Sequence, residues 1–404
     1  MKKILAALLC VVLMFGLVSC ASSSSSSTAS SAASGSSAAS GGTIKIGCPQ
    51  PLTGTNALVG DAAKKGAELA VEQINAAGGV LGKQLELVEY DDQGSPEEAV
   101  KLATKLVEVD KVDWICGSLI SSCMLAAGPY YEEAQVMALG TGLSSTWMKK
   151  GWKYVWRACP NSGLGMPSLA NYMKKLGINS ISIFQGQDDS SASGAEDMRK
   201  AAESVGIKTI TSETYVDGDT DFSGQAIKIV NSGCDAVFTS TYSVAQASFA
   251  KQLRQAGYNK VVFNKETLSI DNIAAAGDAA NYYAFMFPYV TYASIDDCKD
   301  DYMKSFLTAF QKKFNELPYH DCAYRAYDAI YVLKAAAEKA NSIKSSDMIA
   351  ALGTISDFKG LGGTYDFTKG DQEGIHEFKA WIILNQKASS FDDWVASGEY
   401  AKLK

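Results

Sequence analysis

Histidine is almost missing from this sequence: 404 residues contain only His320 and His376. Neither stands beside a serine or cysteine nucleophile motif, so hydrolase chemistry built on such a pair has nothing to rest on, and no enzyme is expected. Basic character is short as well. The 37 Lys and Arg are outnumbered by 44 Asp and Glu, the net charge is -7, and no Lys/Arg cluster could track a phosphate backbone. Nucleic acid is therefore excluded as an expected partner. No CxxC and no Cys/His pair has zinc-finger spacing. The glycines of Gly360-Leu361-Gly362-Gly363-Thr364 lack the lysine of a phosphate loop and read as a turn. No metal and no cofactor are expected. The apolar run at 4–18 is too short to span a bilayer.

What is present begins at the N-terminus. Lys2 and Lys3, the apolar run, and then Leu17-Val18-Ser19-Cys20 describe a cleaved secretory signal in 1–20. Leu-Val-Ser-Cys resembles the lipobox of bacterial lipoproteins, which implies lipidation of Cys20, extracytoplasmic placement and membrane contact through the lipid. Residues 21–42 are nearly all Ser, Ala and Gly. They have nothing to bury and read as a flexible tether. With 47% hydrophobic residues, the remainder is long enough for two packed domains. Cys48, Cys116, Cys123, Cys159, Cys234, Cys298 and Cys322 remain after Cys10 and Cys20 are set aside. They read as small buried hydrophobes, with disulfides still open outside the cytoplasm.

From Thr43 onward, short β-rich runs alternate with helical stretches, the pattern of a parallel sheet covered by helices. A strand at 43–48 leads to a helix at about 61–77, where Ala63, Gly66, Ala67, Ala70 and Ile74 share one face, as a helix lying on a sheet requires. Ser95-Pro96-Glu97-Glu98 opens another helix: Ser95 caps, Pro96 suits the first position, and the two Glu favour the positive end. The alternation restarts after Cys159-Pro160, with strands at 180–184, 208–214, 235–239 and 261–263 and a helix from about Ala195. Later come helical stretches at about 299–314 and 322–340. The fold class expected is α/β, with two doubly wound parallel-sheet lobes.

Ligands of such sheets bind beyond the carboxyl ends of strands, where helix N-termini point free N–H groups. Ser118, Ser121 and Ser122 follow the strand ending at Cys116-Gly117, and Gly142 and Ser144 follow the next one. On these residues alone, helix caps and turn formers are as good an account as a binding site.

The segment 44–107, with PLTG, GAELAVEQINAAGG and DD before a Pro-capped helix, resembles the leucine/isoleucine/valine-binding family of periplasmic binding proteins. So do ICGSLISSCMLAAGPYYEEAQV, VDGDTDFSGQAIKI, DAVFTSTY and YRAYDAIYVLKAAAEKANS, which carry the likeness to the C-terminus. The resemblance implies type I architecture with a three-crossover hinge: a first lobe of 43–160 plus about 290–366, and a second of 161–289 plus about 367–404. It implies a monomer that closes on an amino acid, branched-chain or otherwise hydrophobic or aromatic, and delivers it to the permease subunits of an ABC importer; the alternative is a ligand-sensing receptor. Ser121 and Ser144 match hydroxyls that grip the ligand carboxylate, and Gly142 a carbonyl that accepts from its ammonium. Glu266 matches the acid that meets the ammonium, and Tyr242 an aromatic that packs on the ligand. Val59, Leu119, Ile120, Ser122, Ser191 and Tyr324 complete the implied pocket. Val59, Ser190 and Ser191 depart from the aromatics common there, which leaves the side-chain pocket undefined.

Two acidic motifs read as structural. Asp91-Asp92 lies at a strand end before a capped helix. Asp217-Gly218-Asp219-Thr220-Asp221 mimics a calcium loop, but Phe222 stands where glycine is needed and Lys228 where the bidentate Glu belongs. It reads as a turn and a helix cap.

Overall fold

The computed structural model describes residues 41–403 except 242 and 243; the signal, Cys20 and Tyr242 lie outside the described residues. Five strands build the first sheet: β1 (Gly41–Gln50), β2 (Lys83–Asp91), β3 (Trp114–Cys116), β4 (Met137–Gly140) and β5 (Val155–Arg157). They run parallel in the order β2-β1-β3-β4-β5. The order reverses direction at β1, so the C-terminal ends of β1 and β3 flank a crevice of the kind in which open sheets bind ligands.

The second sheet repeats the plan with β6 (Ser180–Gly186), β7 (Lys208–Tyr215), β8 (Ala236–Ser240), β9 (Val262–Asn264) and β10 (Tyr283–Phe287), all parallel. A two-stranded ribbon, β11 (Phe358–Gly360) and β12 (Gly363–Tyr365), turns at the glycines expected there. After it, β13 (Lys379–Leu384) and β14 (Lys387–Ser390) join the second sheet antiparallel beside β10. The α/β class with two parallel-sheet cores thus holds, extended by an antiparallel edge.

Local chemistry sets the elements. Ser95 Oγ accepts from Glu98 N at 3.4 Å and Pro96 occupies the first position of the helix Pro96–Thr104. The helix Ala57–Ala76 starts four residues before the expected point. Its small face is wholly buried, but against another helix: a Cβ on Gly66 would stand 2.0 Å from Ala323 O. The partner is the helix Cys322–Ala340, which brings the late chain back onto the first lobe and whose Trp114-side neighbour, Ile343, accepts from Trp114 Nε1 at 3.0 Å. All seven cysteines of the described chain are buried free thiols. Among the described residues no helix is long and apolar enough to cross a membrane.

Candidate functional site

The loops beyond the C-terminal ends of the two sheets face each other across a cavity of 70 Å³. Larger hollows exist, such as one of 530 Å³ beside Tyr289 and Trp381, but this cavity lies at strand ends of both sheets. Its first-lobe wall runs through Leu119, Ile120, Ser121 and Ser122, with Leu143 and Arg325; Asn56 and Gly94 stand beside them. The second lobe contributes Asp188, Asp189, Ser190 and Asp217.

The helix Ser121–Glu133 begins at this wall. Its first N–H groups have no partners within the helix and carry the positive end of its dipole, so the wall suits an anion. Ser118, just before, is held rigidly: its Oγ donates to Asp92 Oδ2 at 2.5 Å and accepts from Ile120 N at 3.2 Å. Burial raises the Asp92 pKa, against the Ser118 hydrogen bond. Asp91 binds Leu52 N at 2.8 Å and Thr53 Oγ1 at 2.5 Å. The Asp91-Asp92 pair therefore braces loops, as its place in the chain suggests.

Gly142 and Ser144 sit behind the wall. Ser121 Oγ accepts from Ser144 N at 3.2 Å, and Ser144 Oγ lies 2.6 Å from Thr146 Oγ1. The carbonyls of both Gly142 and Ser144 accept from the Arg157 guanidinium, and Cys159 Sγ also reaches the Gly142 oxygen at 3.2 Å. Arg157 is itself buried, 3.1 Å from Glu373 and 4.1 Å from the Trp147 ring centre. The carbonyl to which the resemblance assigns an ammonium is thus already engaged by a cation of the chain.

Glu266 follows β9 and is 4% exposed. It stands behind the cavity, with Arg325 Nη2 at 3.3 Å and Lys265 Nζ at 3.7 Å. Arg325 also binds Asp321, Nε to Oδ2 at 2.6 Å. Burial opposes charge on Asp321, yet Arg325 and then His320 hold its carboxyl down to about 2. His320, Asp321 and Cys322 cluster their polar atoms, but the Asp321 carboxylate already answers the guanidinium. Lys265 Nζ also donates to Ser190 Oγ at 2.9 Å, over Gly194, where a Cβ would strike the lysine chain at 2.4 Å.

The other implied pocket residues divide. Leu119, Ile120 and Ser122 line the cavity, whereas Val59, Ser191 and Tyr324 are buried away from its lining. Tyr324 packs edge-on against Tyr289 and Phe306. Residues the sequence did not point to are Arg325, Leu143 and the acids. The helix expected from Ala195 is Asp189–Ser204, six residues longer, with Asp188 Oδ1 accepting from Ser191 N at 2.9 Å as its cap. Asp221 makes the expected turn, accepting from Ser223 N at 3.0 Å, but the N-cap of the helix Ser223–Asn231 is Phe222, with no side-chain cap, and Asp217 of the same motif lies on the cavity wall.

The lobes touch around the cavity. Thr146 Oγ1 donates to Asp189 Oδ2 and Ser145 Oγ to Asp197 Oδ2, each at 2.9 Å, and Arg325 reaches Glu266.

A Pseudomonas aeruginosa leucine-, isoleucine-, valine-, threonine- and alanine-binding protein is 30% identical over 77% of this chain and 82% of its own. The Streptococcus pneumoniae branched-chain amino acid transporter substrate binding protein LivJ, solved with isoleucine, is 26% identical with a TM-score of 0.75, covering 86% of this chain and 98% of that one. An R. palustris ABC transporter solute binding protein in complex with benzoate shares the fold at 19% identity, with a TM-score of 0.77 over 86% of this chain and 95% of that one. These relatives bind solutes and are not enzymes. Matched over residues 43–383 by the periplasmic binding protein model, the chain belongs to that family.

Proposed function

We propose that this chain captures an amino acid by lobe closure and presents it to the permease of an ABC importer, from the outer face of the membrane and anchored through lipid on Cys20. The observation that carries the reading is the polarity of the cleft: a helix N-terminus at Ser121 and Ser122 on one wall, carboxylates on the other. A zwitterion fits it with its acid end on the first lobe and its cationic end toward the second. Neither lobe alone holds both ends, so affinity and closure are linked: the ligand shifts the open-to-closed equilibrium by its extra contacts in the closed state. A permease that recognises the closed form then reads occupancy.

Ser122→Asp tests the seat. An acid is welcome at a helix N-terminus, so the fold is retained. A ligand carboxylate about 4 Å away would meet a like charge worth roughly 4 kcal/mol at an effective dielectric near 20. Calorimetry across the common amino acids should find one that binds, with affinity falling at least about a hundredfold in the variant. Unchanged affinity would remove the carboxylate from this wall.

A further inference from the structure

We infer that the solute is a basic amino acid, whose second cationic group is received by Asp188 and Asp217, while Glu266 serves the closed interface through Arg325. This deepens the amino-acid reading above and rests on it. Three carboxylates, Asp188, Asp189 and Asp217, face the cavity against one guanidinium, Arg325. That guanidinium is already met by Asp321 and Glu266, and Asp189 by Thr146. The α-ammonium of an amino acid of zero net charge would bring a single positive charge to Asp188 and Asp217, leaving one of these two carboxylates without a counter-ion when the lobes close. Burial, and then the Asp188 charge, already push the Asp217 carboxyl up.

The second-lobe wall has carboxylate oxygen to spare for a second cationic group. Asp188 uses Oδ1 to cap its helix, and its buried Oδ2 has no hydrogen-bond partner among the described residues. Ser191, fully buried, likewise has an unpartnered Oγ. Both oxygens lie close to the Gly186 backbone, where the packing is too tight to admit a side chain. A Cβ there would lie 2.7 Å from Asp188 Oδ2, 3.0 Å from Tyr215 Oη and 3.1 Å from Ser191 Oγ. An ammonium or guanidinium carries several donors and no acceptor, which is what such a group of oxygens can use.

The test titrates the full chain calorimetrically with L-lysine, L-arginine and L-ornithine, and in parallel with L-leucine, L-isoleucine and L-glutamate. At least one basic amino acid should bind at least tenfold more tightly than each of the other three. Asp188→Asn and Asp217→Asn should each weaken that binding at least tenfold. Asn still caps a helix, and thermal denaturation of the unliganded variants checks the fold. Tighter binding of leucine, isoleucine or glutamate, or full affinity for the basic ligand in both variants, overturns the inference and leaves the amino-acid reading standing. No heat from these six or from the remaining common amino acids sinks both.

Discussion

Arg325 is the residue on which most of the buried charge turns. It is 1% exposed and sits between Asp321 and Glu266, with the Phe287 ring 5.6 Å away. Burial works against its charge, but Asp321 and further neighbours hold the guanidinium pKa above its ordinary value. Replacing it by methionine keeps most of the volume and takes the guanidinium from two buried carboxylates, leaving Asp321 with His320 and Glu266 with the more distant Lys265. Removal of one partner from a buried ion pair costs about 3–5 kcal/mol, far more than the pair itself contributes relative to apolar groups. Urea denaturation of Arg325→Met should show a loss of that order, partly recovered when Asp321→Asn and Glu266→Gln are added. A loss under about 1 kcal/mol would mean that the network is already solvated.

At the scale of elements, small residues govern how the late chain returns to the first lobe. Gly66 lets the helix Ala57–Ala76 approach the backbone of Cys322–Ala340, where a methyl group would collide with Ala323 O at 2.0 Å. Both partners are main chain in rigid helices, so neither can yield without shifting its whole element. Gly66→Ala gains helix propensity of about 1 kcal/mol, yet overpacking of this kind costs about 1–3 kcal/mol. The net expectation is a lower denaturation midpoint; a higher one would show that the helices can slide apart.

The same pair of helices shows how far the sequence could be read. Ala63, Gly66, Ala67, Ala70 and Ile74 announced a buried face by period alone, but period says only that a face is covered, and the cover came from about 250 residues later in the chain. Ser95-Pro96 was legible because a cap is a local hydrogen bond. Ser121 and Ser122 were legible because a strand end followed by a helix start is also local. Asp188 to Ser190 were not: a run of Asp and Ser looks like loop, since these residues have poor helix propensity, and only the cap on Ser191 N shows that a helix begins there. Arg325 was hidden for another reason. Nothing near it in sequence, in a helix that also carries Asp328, Lys334, Glu338 and Lys339, signals that Glu266 approaches from the other lobe.

Across the whole molecule, buried acids set the response to pH. Asp321 has its pKa lowered to about 2, against about 3.9 in an unfolded chain. A group with a depressed folded value stabilises the fold above its unfolded pKa and loses that contribution as pH falls through the folded one, here from about 4 down to 2. The size is about 2–3 kcal/mol. Asp328 works with the opposite sign. Burial raises it to about 6, despite hydrogen bonds from Tyr365 Oη at 2.6 Å, Leu361 N at 2.9 Å and Gly362 N at 3.0 Å. Its folded form holds a proton that the unfolded form has released, so it favours folding below about 4 and loses that advantage between about 4 and 6. These two groups together place maximum stability near pH 4, with a decline on either side. Urea midpoints at pH 7, 4 and 2.5 check this. The difference between wild type and Asp321→Asn should shrink from pH 4 to 2.5, because protonation removes in the wild type what the substitution has already removed. A difference that stays constant would place the acid-sensitive contact elsewhere. The same variant at pH 7 should also open the lobes more readily, since Asp321 steadies the Arg325 that reaches across to Glu266.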